Sequence, residues 1–374
     1  MAKFKILHVI AAMPVGGAEN VLLTTLRLLD PQQFQSTVCC IQDKGVLGSE
    51  VEKLGIPLFE LNKLRKGGWD SSIIDDLVAL IKREQIDLVH AHLYHANLYA
   101  RFAAKCAGVP SVITVHNTYA KRKWHRQLLN WHLARSTAKI IAVSEAARQD
   151  ILQYDHVPAD KVVTILNGIE LQRSRSALTQ EQARERLGLA ADRKILVCVG
   201  RLVEQKGHTY LLQALAELKQ RWPEIHLLIA GDGDWRQRLE AEAASLQLQQ
   251  HVSFLGTRSD IADILRAADI YVMPSLWEGL ALALLEGMAA GLPVLATSVG
   301  GAPGVLGDGT FGRLVAPGKA DLLVQALDEL LSSPALRQQL ANAARQRAQD
   351  YDAGKMVAAV SRIYHDSLAG LARA

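Results

Sequence analysis

Two carboxylates eight positions apart, Glu278 and Glu286, stand in the segment Ser-Leu-Trp-Glu-Gly-Leu-Ala-Leu-Ala-Leu-Leu-Glu-Gly-Met-Ala-Ala-Gly-Leu-Pro-Val at 275–294. The first falls in a loop after an apolar strand pattern at 269–273, and the second interrupts an apolar helical run that otherwise reads as core. An ionised group inside such a run is costly unless it is paired or bound to something. Glu286 therefore either neutralises a neighbouring Arg or Lys or holds a ligand, and both readings stand at this point.

Cations gather at another strand end. The run at 193–200 closes on Gly200-Arg201-Leu-Val-Glu-Gln-Lys206-Gly207. A bidentate Arg201 and a point charge on Lys206 suit a diphosphate; the alternative is a surface pair with Glu204. No Gly-Lys-Ser/Thr follows, so this is not a P-loop. The first strand ends in Met13-Pro-Val-Gly16-Gly17-Ala-Glu19 and leads into a helix. Amides at Gly16 and Gly17 can approach an anion, or the glycines form a plain turn. Their spacing departs from a dinucleotide fingerprint.

Gly233, in Gly-Asp-Gly-Asp after a strand at 225–230, and Leu255, in Phe-Leu-Gly, can present backbone and an apolar wall to a planar base, or mark turns only. His116 ends the strand pattern at 111–115, where it can polarise a hydroxyl, contact a sugar or serve structure alone. His90, His92 and His95 resemble ligands at first, but strand alternation puts only His90 and His92 on one face. With no carboxylate beside them, no metal site is expected.

These residues need a scaffold that brings strand ends together. Short β-branched runs at 5–10, 36–41, 88–91, 111–115, 139–143 and 162–166 alternate with helical patterns such as 18–29, 73–84 and 94–107. That alternation predicts a doubly wound parallel sheet. A polar stretch at 172–176 and a helix at 180–187 read as a linker and helix over 172–192, and a second start at 193 echoes the first. Two Rossmann-like α/β domains follow, at 1–171 and 193–354, with a last helix at 355–374. Facing domains of this kind are expected to share a cleft at their strand ends.

Composition narrows the classes. The 374 residues are 49% hydrophobic and 21% charged, as in an ordinary globular protein. A net charge of +4 favours an anionic ligand but falls far short of a nucleic-acid binder. Four cysteines without a C-x-x-C pair predict buried reduced thiols and a cytoplasmic setting. No apolar run approaches the ~20 residues of a membrane span. Basic clusters with tryptophan, at Lys121, Arg122, Lys123, Trp124, Arg126 and Trp131 and at Lys63, Arg65, Lys66 and Trp69, suit either an anionic membrane face or plain solvation.

Taken in order, Gly16-Gly17-Ala-Glu19, Val143-Ser-Glu145, Asn167-Gly168, Arg201 with Lys206, and Glu278 with Glu286 followed by Gly-x-Pro-Val resemble the family 4 glycosyltransferases over nearly the whole chain. The resemblance implies a GT-B fold with a central cleft, an N-terminal acceptor domain, a nucleotide-sugar domain and a final helix crossing back to the first. It implies a retaining, metal-independent hexosyltransferase with no cofactor and a UDP-sugar as the expected donor.

Carried over, Glu286 holds the ribose, Glu278 the sugar hydroxyls, and Arg201 with Lys206 the diphosphate. Amides of Gly279, Leu280, Ala281, Leu282, Gly16 and Gly17 assist, and His116 faces sugar or acceptor. The implied acceptor is a glycan, glycolipid or lipid-linked sugar in polysaccharide or lipopolysaccharide synthesis, with peripheral contact at the inner membrane face and no nucleic acid. Two departures stand out: Gly304 where the family usually has glutamate, and Gly-Thr-Phe-Gly at 309–312 where Gly-x-Asn-Gly is common.

Other classes remain open. Two helical glutamates eight apart would lie about 12 Å from each other, too far for the ~5–9 Å of a glycosidase pair. An epimerase of the same architecture would bind the same nucleotide sugar, and a non-catalytic sensor would bind without turnover.

Overall fold

The computed structural model describes residues 3–64, 69–118 and 124–369. The chain forms two compact units, one from Met1–Gly168 with Ala353–Ala374 and the other from Ile169–Asp352.

Unit 1 is a parallel sheet of β1 (Phe4–Ile10), β2 (Phe34–Cys40), β3 (Leu58–Glu60), β4 (Leu88–His92), β5 (Ser111–Val115), β6 (Lys139–Ala142) and β7 (Val162–Thr164), in the order β3-β2-β1-β4-β5-β6-β7. Its inner strands are buried along most of their length because both faces are covered, and they take His8, His90 and His92 in with the apolar residues. Alternation on β2 shows the two faces: Cys39 packs with the helices Ser72–Glu84 and Tyr94–Ala107, while Val38 and Cys40 pack with the helix Gly17–Leu28. The adjacent Cys39 and Cys40 therefore point apart. Cys198 is buried as well, whereas Cys106 is exposed, against the expectation of uniformly buried thiols.

Unit 2 carries β8 (Lys194–Val199), β9 (Ile225–Ala230), β10 (Val252–Gly256), β11 (Ile270–Met273), β12 (Val294–Thr297) and β13 (Arg313–Val315), all parallel in the order β10-β9-β8-β11-β12-β13. In each sheet the strand order reverses beside the first strand of the unit, between β1 and β4 and between β8 and β11. Such a switch point opens a crevice at the carboxyl ends of the strands.

Two boundaries differ from the sequence reading. Residues 172–192, read as a linker and helix, form the expected helix at Gln180–Arg186 but belong to unit 2. Arg184 pairs with Asp269 at 2.8 Å, Gln180 donates to the Ala268 carbonyl, and Ser176 donates to Asp263 at 2.6 Å. The last helix begins at Ala353, two residues earlier than expected, and packs in unit 1, where the Tyr364 hydroxyl meets His90 Nδ1 at 2.6 Å. The short strands β3 and β13, three residues each, have no signal of their own in the sequence.

Candidate active site

The loops at the β8 and β11 ends of unit 2 bring Lys206 against Glu278, with Arg201 in the first loop and Glu286 in the helix after the second. Beyond β8 the chain turns at Gly200 and exposes Arg201, whose guanidinium has no partner among the described residues. The alternative pair with Glu204 does not form. The loop is braced from behind: Leu202 N donates to the Asp232 carbonyl at 2.9 Å. A Cβ on Gly231 would stand 2.0 Å from the Gly200 carbonyl oxygen, and one on Gly233 2.6 Å from that of Leu202. Gly233 thus shapes the Arg201 loop by close approach. Leu255 lies half-buried on the edge strand β10.

Lys206 closes a short turn, Glu204–Lys206, and its Nζ meets Glu278 Oε1 at 2.5 Å. Glu278 is only 5% exposed. Ser275 Oγ donates to the same oxygen at 2.9 Å and Gln205 Nε2 reaches the other at 3.4 Å. Leu276 N and Gln205 Nε2 lock the two loops together, donating to the carbonyls of Gln205 and Trp277 at 2.7 and 2.9 Å. A buried charge needs such a set of partners. The sequence reading missed Gln205, which carries no local signal. Ser275 lay within reach of the sequence, three residues before Glu278 in the same loop.

Glu286 contrasts with Glu278. It sits in the helix Leu282–Ala289 among buried Leu284, Leu285 and Met288. It is half-buried and has no hydrogen-bond or ion-pair partner among the described residues. Burial pushes its carboxyl up to about 7. The neutralising Arg or Lys weighed above is therefore absent from Glu286, and Lys206 goes to Glu278 instead. Below Glu286, the Tyr271 ring packs on Gly287, where a Cβ would stand 2.7 Å from Tyr271 Cγ. The Tyr271 hydroxyl is buried without a partner, and burial together with Cys198 and Glu286 holds its pKa well above the usual value.

The same helix begins at Leu282 after Ala281, with no side chain capping its first amides. Uncapped N–H groups at a helix start favour an anion. Gly279 and Leu280 are buried just before it, and the Gly279 carbonyl accepts from Gly301 N at 2.6 Å.

In unit 1, Gly16 and Gly17 open the helix Gly17–Leu28, again without a side-chain cap. A Cβ on Gly16 would meet Glu19 Oε2 at 2.3 Å, so glycine here admits the Glu19 carboxylate. His116 follows β5, half-buried, with Nε2 at 3.2 Å from His92 Nδ1, and burial lowers its pKa to about 4.

The histidine cluster differs from the sequence reading in membership. His8, His90 and His92 bring ring nitrogens within 4.8 Å of one another, whereas His95 is exposed. His8 arrives through the β1–β4 pairing, opposite His90, a contact across some eighty residues that local spacing does not reveal. Both nitrogens of His90 are engaged, by Tyr364 at 2.6 Å and by Thr114 at 2.8 Å, while His8 Nδ1 and His92 Nε2 are buried without partners.

Of the basic clusters, Arg65, Lys66, Lys121, Arg122 and Lys123 lie outside the described residues. Lys63 is tied to Asp76 at 2.5 Å and Trp69 stacks on Tyr99 at 4.9 Å, so neither is free of the fold. Trp124 and Trp131 lie on the helix Trp124–Ala134 and are exposed.

Parallel α/β units with these strand orders, and a cationic, carboxylate-bearing crevice in the second, define a GT-B glycosyltransferase. Residues 15–173 match the model of Glycosyltransferase Family 4, and residues 179–347 match that of Glycosyl transferases group 1. The alpha-D-kanosaminyltransferase of Streptomyces kanamyceticus is 30% identical over 75% of this chain and 78% of its own length. The Escherichia coli UDP-Gal:alpha-D-GlcNAc-diphosphoundecaprenol alpha-1,3-galactosyltransferase is 28% identical over 98% of this chain and 97% of its own length. Anabaena Alr3699/HepE, solved with UDP and glucose, superposes with a TM-score of 0.86 at 23% identity over 97% of this chain and 99% of that one. The chain belongs to the family 4 glycosyltransferases and is a hexosyltransferase-type enzyme.

Proposed function

We propose that this enzyme moves a hexose from a UDP-sugar to a hydroxyl of a lipid-linked or glycan acceptor, with retention at the anomeric carbon and without a metal. The observation that carries the reading is the unpartnered Glu286 in the helix after β11, together with the free Arg201 at the end of β8 and the Lys206–Glu278 pair that joins the two loops. A carboxylate pushed up to about 7 gains most from a ligand that donates hydrogen bonds, and a ribose diol does so. Arg201 and Lys206 supply the positive charge that a departing diphosphate requires.

The step breaks the bond from the anomeric carbon to the diphosphate oxygen and forms one to the acceptor oxygen on the same face. The acceptor proton passes to the leaving phosphate. Lys206 then divides its charge between Glu278 and the phosphate, and Glu278 accepts from the sugar hydroxyls. His116 serves a hydroxyl of sugar or acceptor. The enzyme works at the inner membrane face. Trp124, Leu128 and Trp131 support this, forming a stripe four and three residues apart that is 76%, 58% and 39% exposed. Among the described residues no helix is long and apolar enough to cross a membrane.

The test offers a set of UDP-sugars with a polyprenyl-diphosphate-linked N-acetylhexosamine in excess EDTA, the product's anomeric configuration being read by NMR. Transfer with an α-linkage from an α-linked donor supports the reading. Inversion, a requirement for a divalent cation, or isomerised UDP-sugar without acceptor would overturn it, the last in favour of the epimerase.

A further inference from the structure

We infer that His92 is a positioning residue that holds His116 in the tautomer protonated on Nδ1, so that His116 meets its substrate as a hydrogen-bond donor and not as a base. This rests on the assignment of His116 to a substrate hydroxyl.

His92 Nδ1 and His116 Nε2 lie 3.2 Å apart, which places one proton between them. Both rings are neutral near pH 7, since burial lowers the pKa of each. Two arrangements satisfy the contact. If His116 donates, His92 must carry its own proton on Nε2, which is buried and has no partner. If His92 donates, Nε2 is left as a bare lone pair. A buried N–H without an acceptor is the rarer and costlier of the two. The neighbouring His90 offers no relief, because Tyr364 and Thr114 engage both its nitrogens.

His92 therefore donates and His116 Nε2 accepts. The single proton of His116 then sits on Nδ1, which has no partner among the described residues and belongs to a half-buried ring. The hydrogen bond on one nitrogen sets the role of the other. A His116 so held cannot take the acceptor's proton, which leaves that task to the departing phosphate.

Long-range 1H–15N spectra of the full chain, labelled at histidine, read the tautomer directly. His116 is expected to be protonated on Nδ1 in the wild type and in His92→Asn, whose amide nitrogen sits near the position of Nδ1 and preserves the donor. In His92→Leu the donor is gone, and His116 is expected to populate both tautomers. With the UDP-sugar the enzyme turns over, kcat in His92→Leu should fall about tenfold, the value of one hydrogen bond of ordinary strength, with the donor KM held. His92→Asn should recover most of that loss. A wild-type His116 protonated on Nε2, or a His92→Leu variant with unchanged tautomer, would overturn the inference. His116→Ala separates the two levels: full activity there removes His116 from the substrate while the spectra still decide the tautomer.

Discussion

Replacing Glu286 by Gln should make the protein more stable and, at the same time, a weaker nucleotide binder. The carboxyl is pushed from 4.5 up to about 7 by burial and has no partner to offset it. A raised carboxyl pKa means that the folded state keeps a proton which the unfolded chain has released. Stability is therefore complete below pH 4.5, falls as pH rises from there, and levels off above about 7. The shift corresponds to roughly 3 kcal/mol at pH 8 and about 1 kcal/mol at pH 5.

Glutamine has the same shape and no charge, so the variant escapes this loss. Urea unfolding of both proteins at pH 5 and pH 8 measures it, with the variant gaining about 2 kcal/mol more over wild type at the higher pH. For a unit of this size the gain at pH 8 amounts to roughly 6 °C or more in Tm. UDP affinity should move the other way, falling about tenfold or more as charge-assisted hydrogen bonds to the ribose are lost. A stability difference independent of pH would refute the strained-carboxylate reasoning. Unchanged UDP affinity would remove Glu286 from the ribose.

Three further outcomes follow from named contacts. Lys206→Met leaves the buried Glu278 without its cation and should cost about 3 kcal/mol in urea unfolding; a neutral effect would mean that Ser275 and Gln205 suffice. Gly287→Ala drives a Cβ into the Tyr271 ring, and a loss of about 1–3 kcal/mol is expected on overpacking grounds, with a stable variant contradicting the close approach. Trp124→Ser with Trp131→Ser should release the protein from vesicles of anionic phospholipid in flotation at low salt; equal retention of wild type and variant would discard the stripe as a membrane contact.

The scaffold was largely legible because parallel strands buried on both faces are rich in apolar and β-branched residues, as at β5 and β8. The three-residue edge strands β3 and β13 were not, since they lack the Val-Val-Thr run that marks β7 at the same length. The helix within 172–192 was legible, but its membership of unit 2 was not, because the contacts that hold it there, such as Arg184 on Asp269, join residues far apart in sequence. At the site, residue types and order marked Arg201, Lys206, Glu278 and Glu286, but which carboxylate pairs with Lys206 depends on how two loops meet. Ser275 could be read from its spacing to Glu278. Gln205 and the approach of His8 to His90 could not, because both arise from long-range loop and strand pairing.

Calorimetric titration of UDP into the wild type and into Arg201→Ala, each in excess EDTA, tests the donor site most directly. UDP should bind the wild type with EDTA present, and Arg201→Ala should weaken it about tenfold or more through the lost bidentate contact. Failure of UDP to bind without a divalent cation, or equal affinity in the two proteins, would contradict a metal-free diphosphate clamp at the end of β8.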